Sequence, residues 1–264
     1  MKKRIKSLLI KYKLYYSLRY SLLFRIYQHL FKSKDILAEK KEIQFYQSFL
    51  SPCDLIFDIG AYDGHKTEAF LRIAKKVVAC EPDPQSFEIL IARFRNKQKR
   101  VFLENKAIAD NEEDRKYYIH HPGSAFNTLS PGWKEKLEND HLEKWNERIA
   151  FSHEMITKTT TLDVLIKKYG TPRFIKIDVE GYEKKVLDGL SQPIPFISFE
   201  GLWPDWKAEI QHCIDRIQFI CKDAVYNVAE YEKLLLTEFT DQRSLFDWLT
   251  KSSVTHLEIV VKMK

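Results

Sequence analysis

The chain has 264 residues, 44% of them hydrophobic, enough to bury one sizeable core. Its four cysteines, Cys53, Cys80, Cys213 and Cys221, form no CxxC pair, which argues against a zinc module or a disulfide framework, and no stretch approaches the roughly 18 uncharged apolar residues of a membrane span. The net charge of +6 comes from residues 1–34, which hold ten Lys or Arg and no acid, while the rest of the chain is net acidic.

Leu8, Tyr12, Tyr15, Leu18, Leu22, Ile26 and Leu30 recur in steps of three and four, so a helix is predicted over about residues 5–32. This basic helix opens an appendage over residues 1–45, ahead of a domain over 46–264. Three roles fit it: packing on the domain or on a second subunit, lying on an anionic membrane surface, and binding nucleic-acid phosphates, the least favoured of the three. A cytoplasmic protein, peripheral to the inner face of the membrane if the second role holds, is the expectation.

From residue 55 the pattern alternates. Strands are predicted at 55–60, 76–81, 100–105, 173–178 and 195–200, rich in Val, Ile and Phe, with helices at 64–75, 84–97, 161–169, 182–190 and 205–221. Two more strands, 224–230 and 256–262, flank a helix at 241–250. Such alternation predicts a doubly wound α/β fold with a mostly parallel sheet and an antiparallel C-terminal strand. Residues 121–154 interrupt the rhythm between the strand-like stretches 116–121 and 155–161, and so long an insertion suits a lid or binding loop.

The stretch "DLIFDIGAYDGHKTEAF" reads as strand, glycine turn and helix start. Asp58 ends the strand, Gly60 begins the turn and Gly64 precedes the helix, a layout in which bare backbone can cradle a nucleotide. The spacing DxGxxxG lacks the third glycine of a dinucleotide fingerprint. Glu81 ends the second strand, where a carboxylate can accept hydrogen bonds from both hydroxyls of a ribose. A tight connection and a solvated strand end are the bland alternatives.

With these residues in place the chain resembles the class I S-adenosylmethionine-dependent methyltransferases, whose fold is Rossmann-like. The segment 159–190 narrows the resemblance to the FkbM family: Thr161, Leu162 and Asp163, then Lys176, Asp178, Glu180, Gly181 and Glu183, then Val186, Leu187 and Gly189. The resemblance covers roughly residues 50–202 and implies S-adenosylmethionine as cofactor, held by Asp58, Gly60, Ala61, Gly64 and Glu81. It also places Asn105, Lys106 and Ala107 near the adenine. Where many members carry Asn after Gly-Ala, this chain has Tyr62 and Asp63.

Asp58, Glu81, Asp178 and Glu200 all stand at carboxyl ends of predicted strands and are expected to converge on one cleft. Asp178 is the leading catalytic candidate, with Lys176 and Glu200 beside it. Asp178 can act as general base if burial raises its pKa, or Asp178 and Glu200 can hold a divalent metal such as Mg²⁺. Lys176 either pairs with Asp178 and keeps it ionised, or touches the acceptor, or only pairs with Glu180 or Glu183. Glu180 is read as a helix cap as readily as a catalytic group. His65, His120, His121, His141 and His153 are further base candidates, Ser124, Phe126, Thr128 and Trp133 suit a lid, and Trp203 and Trp206 line the acceptor pocket or anchor the core. The resemblance and the basic helix together suggest transfer of a methyl group to a hydroxyl of a sugar in a cell-surface polysaccharide or glycolipid, with a homo-oligomer left open. A nucleotide-binding oxidoreductase on the same layout and a non-catalytic membrane-associated binding module are the rival readings.

Overall fold

The computed structural model describes residues 33–139 and 149–263; the helix expected over 5–32 and His141 lie outside them. In chain order the elements are α1 (Ser33–Gln47), β1 (Cys53–Ile59), α2 (His65–Phe70), β2 (Ala74–Cys80), α3 (Pro84–Phe94), β3 (Val101–Glu104), β4 (Ala107–Ile108), β5 (Asp114–Ile119), α4 (Pro131–Asn139), β6 (His153–Thr160), α5 (Leu162–Tyr169), β7 (Phe174–Ile177), α6 (Glu183–Asp188), β8 (Phe196–Leu202), α7 (Lys207–Ile220), β9 (Val225–Glu230), β10 (Lys233–Leu234), α8 (Gln242–Lys251) and β11 (His256–Lys262).

The main sheet has the order β10-β9-β11-β8-β7-β1-β2-β3. Strands β3, β2, β1, β7 and β8 pair in parallel, and β11 runs antiparallel to both β8 and β9. The chain builds outward from β1 to β3, then returns to lay β7 on the other side of β1. That reversal leaves a crevice beyond the carboxyl ends of β1 and β7, where open α/β sheets bind ligands.

Successive side chains of a strand point to opposite faces, so the inner strands feed two cores. Phe57, Ile59, Val78, Ile175 and Ile177 pack on one face against Leu165, Leu187 and Ile214. Ile56, Val77, Ala79 and Phe174 pack on the other with Phe70, Leu90 and Phe94. Burial on both faces explains why these strands read as continuous apolar runs rather than alternating ones. Helix ends follow local chemistry. Asp83 accepts from the Ser86 N–H at 2.8 Å with Pro84 next in line, and Thr161 Oγ1 accepts from the Val164 N–H at 3.1 Å; each such cap contributes about 1 kcal/mol.

The helix expected over 64–75 stops at Phe70, because Ala74 already pairs with Cys53 and seven residues are drawn into β2. The stretches 116–121 and 155–161 appear as β5 and β6. They pair with each other antiparallel and, with β4, form a separate three-stranded sheet that alternation alone does not foretell. Helix α1 runs through position 45. Its Phe45 and Tyr46 are buried, and the Tyr46 ring meets Phe70 edge-on at 4.8 Å and Phe174 at 5.7 Å. No described helix is long and apolar enough to cross a membrane.

Candidate active site

Two cavities open beyond the strand ends and share three residues: Lys66, Asp178 and Glu180. The first cavity is walled by the turn Gly60-Ala61-Tyr62, by Glu81, and by Lys106 and Ala107. Gly60 has φ of +84°, and a Cβ there would stand 1.7 Å from the Asp178 carbonyl oxygen, so only glycine lets the ends of β1 and β7 meet this closely. Glu81 is 5% exposed, and its two carboxylate oxygens accept from the N–H groups of Tyr62 and Asp83, both at 2.8 Å. These bonds fix the carboxylate at the cavity wall and leave further lone pairs for a ligand. Burial pushes the Glu81 pKa up to about 7 and that of Asp58 to about 6, the latter resisted by the Thr67 hydroxyl that donates to Asp58 Oδ2.

A glycine turn, a fixed carboxylate at the neighbouring strand end and an apolar wall at Pro82, Ala107, Ile108 and Leu129 together suit a nucleoside. Asp58, Gly60, Ala61, Glu81, Lys106 and Ala107 all line this cavity. Two expected cofactor residues do not. Asn105 points its amide at the Glu81 and Pro82 carbonyls, at 2.8 and 3.3 Å, and so braces the turn that carries the acid. Gly64 instead lets α2 pack tightly, since a Cβ there would lie 2.6 Å from the Phe94 ring.

The second cavity is bounded by Trp133, Trp206 and Phe126, by Glu200 and Glu258, and by Tyr231. Between the cavities stands a charge cluster centred on Lys176, which is fully buried. Its ammonium lies 3.0 Å from Glu200 Oε1, 3.6 Å from Asp178 Oδ2 and 3.8 Å from Glu258 Oε1. Lys176 therefore pairs with the strand-end acids and with neither Glu180 nor Glu183. It reaches them because it shares the sheet face of Phe174, Asp178 directly follows β7, and Glu200 lies on the adjacent parallel strand β8.

Asp178 keeps 23% side-chain exposure, all that the cavities allow. Burial, with the Glu200 charge beside it, pushes its pKa up to about 7 against the pull of Lys176 and Lys66. Burial also works against ionisation of Glu200, but Lys176 overcomes it and holds that carboxyl below the usual range. A base poised near neutrality beside an acid kept ionised is the arrangement that proton abstraction needs. The position a metal would take between Asp178 and Glu200 is filled by the Lys176 ammonium. Among the described residues no group of three or more His, Cys, Asp or Glu is placed to hold a metal ion. The donor set does not fit one.

Glu180 caps nothing. It has φ of +54°, lines both cavities, and its carbonyl accepts from Thr128 Oγ1 at 2.7 Å. Glu183 does the local work, accepting from the N–H groups of Val179 and Gly181 at 3.2 and 3.3 Å. Of the lid residues, Ser124 reaches the first cavity, Phe126 and Trp133 the second. Trp206 meets Trp133 edge-on at 5.2 Å and lines the second cavity, whereas Trp203 is buried in the core. His120, His121 and His153 line neither cavity; His120 Nδ1 lies 2.9 Å from the Ala150 carbonyl oxygen. His65 lines the first cavity and pairs with Glu42 of α1 at 2.9 Å.

Among the residues of the site that went unread in the sequence are Lys66, Thr67, Glu258, Tyr46 and Tyr231. Glu258 left a trace, an acid within the apolar run "HLEIVV", where an unpaired charge would be costly. Lys66 and Thr67 open the helix after the glycine turn. The Lys66 ammonium lies 3.5 Å from Glu42 Oε1, and although burial and Lys176 oppose its charge, Glu258, Asp178 and Glu42 keep it protonated.

The family model described as "Methyltransferase FkbM domain" matches residues 58–228. Among solved structures, the chain is similar to methyltransferase FkbM from Methylobacillus flagellatus KT, with 14% identity and a TM-score of 0.51 over 83% of this chain; it spans 47% of that chain. A precorrin-6y C5,15-methyltransferase from Geobacter metallireducens GS-15 shows 10% identity and a TM-score of 0.42 over 86% of both chains. An rRNA methylase from Streptococcus thermophilus shows 10% identity and a TM-score of 0.40, over 88% of this chain and 98% of its own. No curated protein sequence matches the chain.

Proposed function

The chain belongs to the FkbM methyltransferase family, whose donor is S-adenosylmethionine, and from that premise we propose that it methylates a hydroxyl of a sugar in a cell-surface polysaccharide or glycolipid. The observation that supports the reading is the junction of the two cavities at Lys66, Asp178 and Glu180, with the near-neutral carboxyl of Asp178 in the wall they share.

Glu81 would hold the ribose of the donor, and the Ala107–Ile108 wall its adenine. When bound, the donor supplies a methyl group on a sulfonium, open to in-line attack by an acceptor oxygen. Asp178 would take the proton from the acceptor hydroxyl as that oxygen attacks. Lys176 holds Glu200 ionised, which keeps Asp178 at a pKa where it can both accept and release a proton. The half-buried indole of Trp206, backed edge-on by Trp133, would offer an apolar surface to a sugar ring, and the carboxylates around it would accept from its hydroxyls. The basic segment 1–34 supports an acceptor at an anionic membrane surface, since enzyme and substrate would then share a plane.

Calorimetry of the full chain with S-adenosylhomocysteine and with NAD tests the donor site; binding of the first alone is expected. Transfer of a labelled methyl group to glycosides, with the linkage located by mass spectrometry, tests the acceptor. Methylation on nitrogen or carbon, or none on any glycoside, would overturn the O-methylation reading. Flotation with anionic liposomes, with and without residues 1–34, tests the membrane role.

A further inference from the structure

Strands β9 and β10 pair antiparallel, Lys233 opposite Glu230, and are joined by Tyr231 and Glu232 alone. Both residues are left-handed, with φ of +49° and +55°. A two-residue hairpin of this kind favours Asn-Gly, and a bulky residue there is held under backbone strain. Packing does not offset that strain, because Tyr231 is 88% exposed. Tyr231 lines the second cavity with Glu230 and Glu232, as do Trp206 and Phe126. Strain kept at a cavity mouth, with an aromatic ring presented to solvent, points to a ligand rather than to the fold.

The chemistry of that ligand follows from charge. Among the described residues, eight carboxylates line the second cavity against Lys66, Lys184 and His256. Lys184 stands 3.7 Å from Glu209 and Lys66 3.5 Å from Glu42, so each lysine charge is already partly balanced by an acid of the protein. Burial and the mutual repulsion of Asp178, Glu200 and Glu183 push the Glu180 pKa well up, the mark of a site already crowded with negative charge.

We propose that the Tyr231–Glu232 hairpin tip selects the acceptor: Tyr231 stacks on the apolar face of a sugar ring, Glu230 and Glu232 accept from its hydroxyl or ammonium groups, and the acidic wall turns away sugars bearing carboxylate, sulfate or phosphate. This rests on the reading of the second cavity as the acceptor site. The acceptor residue is thus a neutral or amino sugar.

The test uses the full chain loaded with S-adenosylhomocysteine, whose binding is first measured by calorimetry, and three probes: a methyl glucoside, a methyl glucosaminide and a methyl glucuronide. Saturation-transfer NMR is expected to show the first two binding at least tenfold more tightly than the third. The double variant Tyr231→Asn/Glu232→Gly, given the turn pair that the hairpin geometry prefers, is expected to keep or raise its melting temperature while losing about tenfold in affinity for the glucoside. Equal binding of the glucuronide, or wild-type affinity in the double variant, overturns the proposal and leaves the methyltransferase reading intact. If the nucleoside binds and none of the probes does, the sugar-acceptor reading and this proposal fall together. If the nucleoside itself does not bind, the assignment of the first cavity fails, and glycoside binding to the unloaded chain still decides the hairpin's role.

Discussion

The Lys176 ammonium stands 3.0 Å from Glu200 Oε1 on a side chain with no solvent exposure at all. Its desolvation is offset by three carboxylates, one just after β7 and one each on β8 and β11, so the pairing ties the antiparallel C-terminal strand to the parallel half of the sheet. Lys176→Met removes the cation and leaves Asp178, Glu200 and Glu258 facing one another. We expect a loss of about 3 kcal/mol in urea unfolding, the scale for breaking a buried pair. The acid limb of the pH–rate profile should also move to higher pH, because Asp178 loses the charge that favours its ionised form. A variant as stable as the parent, with its acid limb unmoved, would show that Lys176 does neither job.

Asp178→Asn deletes the base and little else. The amide is isosteric, and it relieves the repulsion from Glu200 that raises the Asp178 pKa. Affinity for S-adenosylhomocysteine is expected to stay within about threefold and the melting temperature to hold or rise, while kcat falls by about 10²–10⁴, the usual loss of a general base. Full turnover in this variant would remove Asp178 from the chemistry.

Gly60→Ala separates turn geometry from side-chain chemistry. Its Cβ would meet the Asp178 carbonyl at 1.7 Å, far inside van der Waals contact, and the φ of +84° is strained for any L residue. The ends of β1 and β7 would have to part, so nucleoside binding should drop by at least about tenfold with a stability loss of about 2 kcal/mol or more. Calorimetry and urea unfolding on the same preparation read both effects; unchanged values would mean that the turn adapts.

The parts of this site legible in the sequence are those set by sheet arithmetic. Asp58, Glu81, Asp178 and Glu200 each close an apolar run, and parallel strands bring such ends together whatever the intervening helices do. Glu258 was hidden for the opposite reason. It lies within an antiparallel strand, and only the register that sets it opposite Glu200 brings it to Lys176. Tyr46 and Glu42 arrive through the docking of α1, which has no periodic signal strong enough to fix its face. The end of α2 at Phe70 is a third case, since "AFLRIAKKVV" suits helix and strand alike and pairing of Ala74 with Cys53 decides between them.

The pH dependence of stability should carry the imprint of this buried charge. Burial raises the carboxyls of Asp58 to about 6 and of Glu81, Asp178 and Glu183 to about 7, from ordinary values of 3.8 or 4.5. A carboxyl that holds its proton more tightly when folded costs nothing while both states are protonated and destabilises as pH climbs toward the folded pKa. Stability should therefore fall between about pH 4.5 and about pH 7. His65, raised by its bond to Glu42, adds a loss of the same sign, complete only as pH passes its folded pKa. The opposite set, Glu42, Glu104, Asp110 and Glu200, is depressed by neighbouring cations against burial, and its contribution disappears as pH drops below about 4.5. Melting temperatures from pH 3.5 to 8 are expected to peak near pH 5 and to decline toward neutrality, with a shallower decline in Asp178→Asn. A curve that keeps rising to pH 7 would mean that these carboxyls are ionised in the folded chain at ordinary pH, and the poised base would go with it.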